Sequence, residues 1–457
     1  MEQIVKDFIK DLGFEDAIDE NQETRVNNWL NWYKGKTKDY NYYVYNGKNK
    51  IKRILKSLYI IQQSCEDISD FYFNEKLDIE IDKDTVSEKI HKALEQNDFL
   101  YNANKLMQLT KALGTGAMVP YLDNDILKIN FIDATGIVIL EADKSNVKSV
   151  LFWSKVGKDI IINAHILTEE GYVIENRRYR QMANGYEEIE LDEATRHIET
   201  KSFIPRFAMI YNTAVNNLDI NSPYGISVYA NSLDNVLAID TAYDSLDNEI
   251  SSGKKRIYIK GGAIQFNTDE SGNMTPIFDN TDTVFYQVPG TEKDPLVSES
   301  NGELRVESIT NSLQSQLNLY TAKVGLGHNY YKFKDGEVYT NKDQVMSANS
   351  DVYRKIKKQE NIITYALKDL VYAIASLIGI DEEFSISVDY DDTIIENTDN
   401  LRLQAMQEYN AGLISKQEYF TQVYNMNEAT AKKFTEEMEE QQKSEKLSGV
   451  EEEPIFE

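Results

Sequence analysis

Residues 222–253 read SPYGISVYANSLDNVLAIDTAYDSLDNEISSG. The stretch opens on a Ser-Pro-Tyr-Gly turn and closes on Gly253. Between them Val236, Ile239, Tyr243, Leu246 and Ile250 recur at alternating steps of three and four, which sets all five on one face of a helix. Asp234, Asp240, Asp244, Asp247 and Glu249 fall elsewhere, so the rest of that helix is expected to be acidic surface. A second stretch of helical period follows at Val306, Ile309, Leu313, Leu317, Tyr320 and Val324. Two helices with narrow apolar stripes, joined by a compact insert, must lie against each other or against neighbouring copies.

The insert, residues 254–305, carries short strand-like runs (KKRIYIKGG, AIQF, MTPIF, TVFYQV) separated by the turns ESGN, DNTD and PGTEKDP. It reads as an α+β module with its own small core, both of whose connections pass through one neck. Upstream, residues 3–12 and 22–33 read as helices, the second with Val26, Trp29, Leu30 and Tyr33 on one side. KGKTKDYNYYVYNGKNKIKR is basic and tyrosine-rich, a mixture that can mark nucleic-acid binding; so short a run reads better as a solvated loop leading into a helix over Ile51–Phe73. LDIEI alternates like a strand, and helices follow over Thr85–Asn97 and Phe99–Leu113, the second stopped by Gly114. Residues 117–211 change to short β-rich runs broken by Gly, Asn and Asp, a mostly antiparallel unit.

Downstream of the second stripe lies GLGHNYYKFKDGEVYTNKD, a glycine-bounded aromatic loop. Thr340 or Asn341 can then cap a long helix to Ile378, with the stripe Val345, Val352, Ile356, Ile363, Leu367, Leu370, Ile374 and Leu377, stopped at Gly379. EFSISVDY is a strand, residues 399–410 and 415–424 are helices, and Ser415 with Glu418 forms a capping box. Asn427–Gln442 is the last helix, and SEKLSGVEEEPIFE is an acidic tail expected to be disordered.

With 457 residues the chain is long enough for two to four structural units. Its net charge of −27 is the reverse of what a general phosphate-neutralising coat requires, so contact with nucleic acid is expected to be local and weak. The single cysteine, Cys65, excludes a disulfide framework and a thiolate-rich zinc site. The histidines His91, His165, His197 and His328 lack metal-ligand spacing, and no apolar run is long enough to span a bilayer. The amphipathic, acidic N-terminus is not a signal peptide. Neither a cofactor nor a metal is expected.

No Walker loop, H-E-x-x-H, G-x-S-x-G or nucleophilic cysteine context is present, and GTGAM around Gly114 and Gly116 lacks the spacing of a phosphate loop. Paired acids such as Asp391-Asp392 arise by chance in so acidic a chain. The features that stand out are architectural rather than catalytic, and the chain reads as no enzyme.

Taken together, PRFAMIYN through SPYGISVYANSLDNVLAIDTAYDSLDNEISSGKKRIYI, then GLGHNYYKFKDGEVYTNKDQVMSANSDVYRKIKKQE, then AGLISKQEYF, resemble the portal proteins of tailed bacteriophages, in the group found in phages of Gram-positive bacteria. The resemblance runs from about Trp29 to about Phe434 and is cumulative, with no single diagnostic string. It implies an α+β subunit that assembles as a homo-oligomeric, dodecameric ring at one capsid vertex of the virion, built in the host cytoplasm. Double-stranded DNA passes through the ring during packaging and ejection, weakly and non-specifically bound. The partners it implies are the terminase large subunit, a head-completion adaptor and the major capsid and scaffold proteins, with no membrane.

Carried onto this sequence, the resemblance makes residues 1–230 the wing, 231–253 and 306–327 the stem helices and 254–305 the clip. Residues 328–341 become the tunnel loop, 342–394 the long wing helix and return strand, 395–442 the helical crown and 443–457 the tail. Stem packing falls to Val236, Ile239, Tyr243, Leu246, Ile250, Ile309, Leu313 and Tyr320. Lys254, Lys255 and Arg256 are the clip's contacts to partners. His328, Asn329, Tyr330, Tyr331, Lys332, Phe333, Lys334 and Lys342 lie nearest the DNA. For Tyr330, Tyr331 and Phe333 a small hydrophobic cluster pinning the loop is an equal alternative. Asp240, Asp244 and Asp247 are candidates for an acidic channel wall. The competing readings are a nucleic-acid or carbohydrate hydrolase without a recognisable motif, and a tail-associated scaffold protein.

Overall fold

The structure is a computed structural model that describes all residues except 47–48, 74–76, 125, 145, 254–255, 261–265, 269–271, 273, 277–284, 289–296, 301–302, 333–341, 381, 391–404, 425–431, 433–434 and 436–457. The chain divides into two compact units, Met1–Thr340 with Arg354–Asp389, and Asn341–Tyr353 with Tyr390–Glu457.

The first unit opens with helices α1 (Gln3–Asp11) and α2 (Glu20–Tyr33). The Asp19 carboxylate caps α2 by accepting from the Asn21 and Gln22 amides. A hairpin follows, β1 (Asn41–Asn46) on β2 (Asn49–Ile54), then α3 (Ile60–Asp70), β3 (Asp78–Ile81), α4 (Asp84–Gln96) and α5 (Phe99–Leu113). Two antiparallel sheets come next. One combines β4 (Thr115–Asp123) and β5 (Ile126–Asp133) with a later strand, β12 (Ala208–Tyr211), in the order β12-β4-β5. The other runs β10-β9-β8-β7-β6 through β6 (Ile137–Asp143), β7 (Asn146–Val156), β8 (Asp159–Thr168), β9 (Gly171–Met182) and β10 (Gly185–Ile189). A short helix, α6 (Glu193–Arg196), leads to β11 (His197–Glu199), which also pairs with β9.

Side-chain alternation explains how the larger sheet is covered on both faces. Val138, Leu140, Leu151, Ile160 and Ile162 point to one face, where Val5, Phe8 and Ile9 of α1 cover them. Ile137, Ile139, Val150 and Phe152 point to the other and meet Ala117, Val119 and Ile132 of the smaller sheet together with Phe207.

The segment after β12 is threaded onto the α5–β4 junction. Gly225 donates to Thr115 Oγ1 and Val228 to the Lys111 carbonyl, while the Asn212 side chain donates to the Ile226 carbonyl. Here Gly114 and Gly225 cross backbone to backbone. A Cβ at Gly225 would lie 2.1 Å from the Gly114 carbonyl oxygen, and Gly114 itself takes φ +91°. Gly114 therefore does more than stop a helix: it makes room for the chain that enters the organising stretch.

That stretch forms α7 (Leu233–Ser252). The insert follows as β13 (Arg256–Lys260), β14 (Phe266–Thr268), β15 (Met274–Pro276), β16 (Phe285–Val288) and β17 (Val297–Ser300). β13 pairs parallel with β16 and antiparallel with β17, and β14 pairs with β15. β17, in VSES, was not legible as a strand, being short and polar. The chain returns as α8 (Val306–Val324). Helix α9 spans Lys342–Leu377, and within the first unit it buries Ile356, Ile363, Leu367, Leu370 and Ile374. β18 (Ile386–Asp389) then pairs with β3, Ile386 opposite Ile81 and Asp389 opposite Asp78, joining segments far apart in sequence. In the second unit residues 405–410 are helical and α10 spans Lys416–Tyr424. Ser415 and Glu418 there exchange backbone-to-side-chain bonds of 2.7 and 3.1 Å, a capping box.

Two expectations fail. The basic, tyrosine-rich run is a β-hairpin, not a loop, and the helix expected from Ile51 starts at Ile60. Ile51 and Ile54 mimic the start of a helical stripe, but Tyr42–Tyr45 and Ile51–Ile54 are β-prone on both sides of an Asn-Gly turn signal, and strand pairing wins. The second failure concerns the surface of α7. Its buried side chains are Val236, Ile239, Asp240 and Asp244, while Ile250 is 53% exposed. The expected cap at Thr340 or Asn341 and the tail lie outside the described residues, as does all but residues 432 and 435 of the last expected helix.

Candidate functional site

Helices α7 and α8 lie side by side and antiparallel. Near the start of α7, Asn235 donates to Gln316 Oε1 at 3.2 Å and accepts from Lys323 Nζ at 2.7 Å. Near its end, Glu249 receives Arg305 through the guanidinium at 2.8 and 3.2 Å and the backbone amide at 3.1 Å. The Arg305 guanidinium holds the Glu249 carboxyl down at about 2. Beside this clasp Gly253 is closed over by Leu304, whose Cδ2 would stand 2.0 Å from any added Cβ. The mouth of the insert is thus tied at one point.

Of the residues expected to pack the pair, Val236, Ile239, Leu313 and Tyr320 are buried. Tyr243, Leu246 and Ile309 are half-buried, and Ile250 is exposed. Tyr320 reaches past α8 to share a 2.6 Å hydrogen bond with Ser64 of α3. A groove on the outer face of the pair is lined mainly by short side chains, among them Ala238, Thr241, Ala242, Ser245, Ser308 and Ser312.

The carboxylates of α7 do not form an open acidic wall. Asp240 is fully buried and accepts from Tyr40 Oη (2.5 Å), Leu58 N (2.8 Å) and Ser57 Oγ (2.9 Å). Burial outweighs these bonds and pushes its carboxyl above the usual carboxylate range. Asp244 accepts from Tyr42 Oη at 3.2 Å and from Asn248 Nδ2 at 2.9 Å. Asp247, half-exposed, pairs with Lys56 at 2.6 Å. One face of α7 therefore holds both ends of the β1–β2 hairpin. Sequence reasoning missed this role, although Asp240, Asp244 and Asp247 recur at steps of four and three, the period of a buried stripe.

In the loop after α8, Tyr331 donates to Asp67 of α3 at 2.5 Å, and the Tyr330 ring stands edge-on to Tyr331 with centroids 5.0 Å apart. Burial pushes the Tyr330 phenol up to about 12. Tyr331 thus ties the described start of the loop to α3, with the Tyr330 ring against it. His328 and Lys332 are exposed, and Asn329 takes φ +61°. Phe333, Lys334, Lys254 and Lys255 lie outside the described residues; Lys342 is described only as the first residue of α9 and Arg256 only as the first of β13.

Among the described residues no group of three or more His, Cys, Asp or Glu side chains is placed to hold a metal ion, and no helix is long and apolar enough to cross a membrane.

No curated protein sequence matches the chain. Distant likeness exists to chains of solved particles. For the virion of a native gene transfer agent particle and for the neck of that particle computed with C12 symmetry, the TM-score is 0.41 at 9% identity, covering 79% of this chain and 88% of the other. For the neck of the empty particle computed with C6 symmetry it is 0.40 at 8% identity, with the same coverage. Residues 12–444 match the family described as phage portal protein, SPP1 Gp6-like, so the chain belongs to that family and functions as a portal, the connector at a capsid vertex.

Proposed function

We propose that copies of this portal protein close side by side into a dodecameric ring through which double-stranded DNA is packaged into the capsid and later ejected. The observation that carries the reading is the family match over residues 12–444, met by a tied pair of antiparallel helices around a separate insert. In this reading α7 and α8 are the stem, and their outer groove of short side chains takes a helix of the next subunit. Such a contact is head to tail and closes by rotation.

Residues 254–305 are the clip, with Lys254, Lys255 and Arg256 at its edge, and dock the terminase large subunit and then the head-completion adaptor. Residues 1–230 and 342–394 form the wing, and residues 395–442 the crown, with capsid and scaffold proteins around them. The loop 328–341 approaches the DNA with His328, Asn329, Lys332, Lys334 and Lys342, while Tyr330 and Tyr331 serve as its footing. A conduit must let DNA slide, and each cation fixed on a phosphate strengthens binding and slows release. A chain of net charge −27 with a few loop lysines meets that requirement. Asp240 and Asp244 are used internally, so neither supplies an acid to the channel.

Negative-stain microscopy of the purified protein tests the reading, with an annulus around a central hole as the expected particle. A lone globule under every condition of salt and concentration would overturn it.

A further inference from the structure

The β1–β2 hairpin is built for a partner that the described residues of its own chain do not supply. Among the described residues its two strands pair only with each other, and every side chain from Asn49 to Ile54 is exposed. Register fixes what each face carries. Tyr43 stands opposite Lys52, Tyr45 opposite Lys50, and Asn41 opposite Ile54, so these six share one face. Tyr43 is 52% exposed, Tyr45 69% and Ile54 68%, and Lys50 Nζ lies 3.9 Å from the centre of the Tyr43 ring. The opposite face carries Val44 across from Ile51, both also exposed.

An isolated two-stranded hairpin is marginally stable in water, and open strand edges with apolar side chains invite pairing. This one is nonetheless held firmly at its root. Tyr40 and Tyr42 are bonded to Asp240 and Asp244, and the Leu55 amide closes the base on the Tyr40 carbonyl at 2.8 Å. A rigid root under a bare blade is the arrangement of a docking arm rather than of a fraying loop.

Charge selects the occupant. Residues 41–54 contain Lys48, Lys50, Lys52 and Arg53 and no acid, whereas the whole chain carries −27. Every other copy of this chain carries the opposite net charge to the arm, which favours a second copy as the occupant. Val44, Ile51 and Ile54 contribute aliphatic area, which phosphate contacts do not use and protein contacts do. We propose that the β1–β2 hairpin is an inter-subunit arm whose tyrosine–lysine face lies on the acidic surface of a neighbouring copy. The inference rests on the ring reading.

Two variants of the full-length protein test it. The first places a photo-crosslinker at the blade, Tyr45→p-benzoylphenylalanine. Irradiation is expected to give covalent dimers and higher species on denaturing gels, with the crosslinked peptide mapping to an acidic segment. The second is K50E/K52E/I54S, all at exposed positions, expected to retain the native thermal transition and to need at least about tenfold more protein for half-assembly by sedimentation. Native rings with only monomeric photoproduct, or with unaltered assembly of the triple variant, would overturn the arm and leave the ring standing. Absence of rings from the native protein would remove both. Normal assembly of the triple variant with loss of retention of a short DNA duplex would also overturn the arm, and would assign the face to phosphate instead.

Discussion

Asp240 shows how much one side chain holds in this fold. Its carboxylate is fully buried on α7 and takes three hydrogen bonds from the segment at the foot of the β1–β2 hairpin. Asp240→Ala leaves the Tyr40 hydroxyl, the Ser57 hydroxyl and the Leu58 amide without their acceptor in a dry site. The expected loss is about 3 kcal/mol in urea unfolding, with Asp240→Asn costing less because an amide oxygen still accepts. The role was only half legible. The spacing of Asp240, Asp244 and Asp247 was in plain view, but hydrophobic patterning assigns carboxylates to water by default. Their donors lie some 200 positions away in sequence. The single cysteine, Cys65, is buried in α3.

At the scale of elements, the long periodic segments were read correctly, and so were short strands such as β3, β12 and β18, whereas the β1–β2 hairpin and β17 were not. The helices α5, α7, α8 and α9 follow from repeated steps of three and four over several turns. The β1–β2 hairpin was lost because two isoleucines at the edge of a strand look like the first turn of a helix. The partnership of β3 with β18 has no local signature at all. On α7 the apolar stripe is real but the burial is not uniform, since Ile250 at the insert end is open to solvent. On the proposed ring, Ile250→Asp therefore separates folding from assembly. Monomer stability should change by no more than about 0.5 kcal/mol, while ring formation by sedimentation should fall sharply. An equally severe loss in both would place Ile250 inside the subunit.

Across the first unit as a whole, one buried cation ties distant parts together. Lys111 Nζ donates to Gln359 Oε1 of α9 at 2.6 Å and to Asn212 Oδ1, which follows β12, at 3.1 Å. Burial brings its amine down to about 7 from an ordinary 10.5. Below pH 7 the amine is charged in folded and unfolded chains alike, and the native state bears the cost of a buried charge. Between about 7 and 10 the unfolded chain holds the proton and the native chain does not, so the contribution of Lys111 to stability rises with pH by up to about 1.4 kcal/mol per pH unit. Lys111→Met removes that slope. The stability of the native protein minus that of the variant, from urea titrations at pH 6.5, 8 and 9.5, should climb across this window and stay flat below it. No sequence pattern announced this lysine, because it sits in a helix where charge is normally solvated.

The clasp at Glu249, Gly253, Leu304 and Arg305 has a consequence for how such a protein can change over time. Since departure and re-entry share a single knot, whatever is strung between them can be lengthened, trimmed or exchanged as a cassette while the remainder keeps its geometry. If that cassette docks the packaging motor, as proposed above, a virus confronted with a different engine would need to rewrite only the cassette, and natural recombinants should break at the knot.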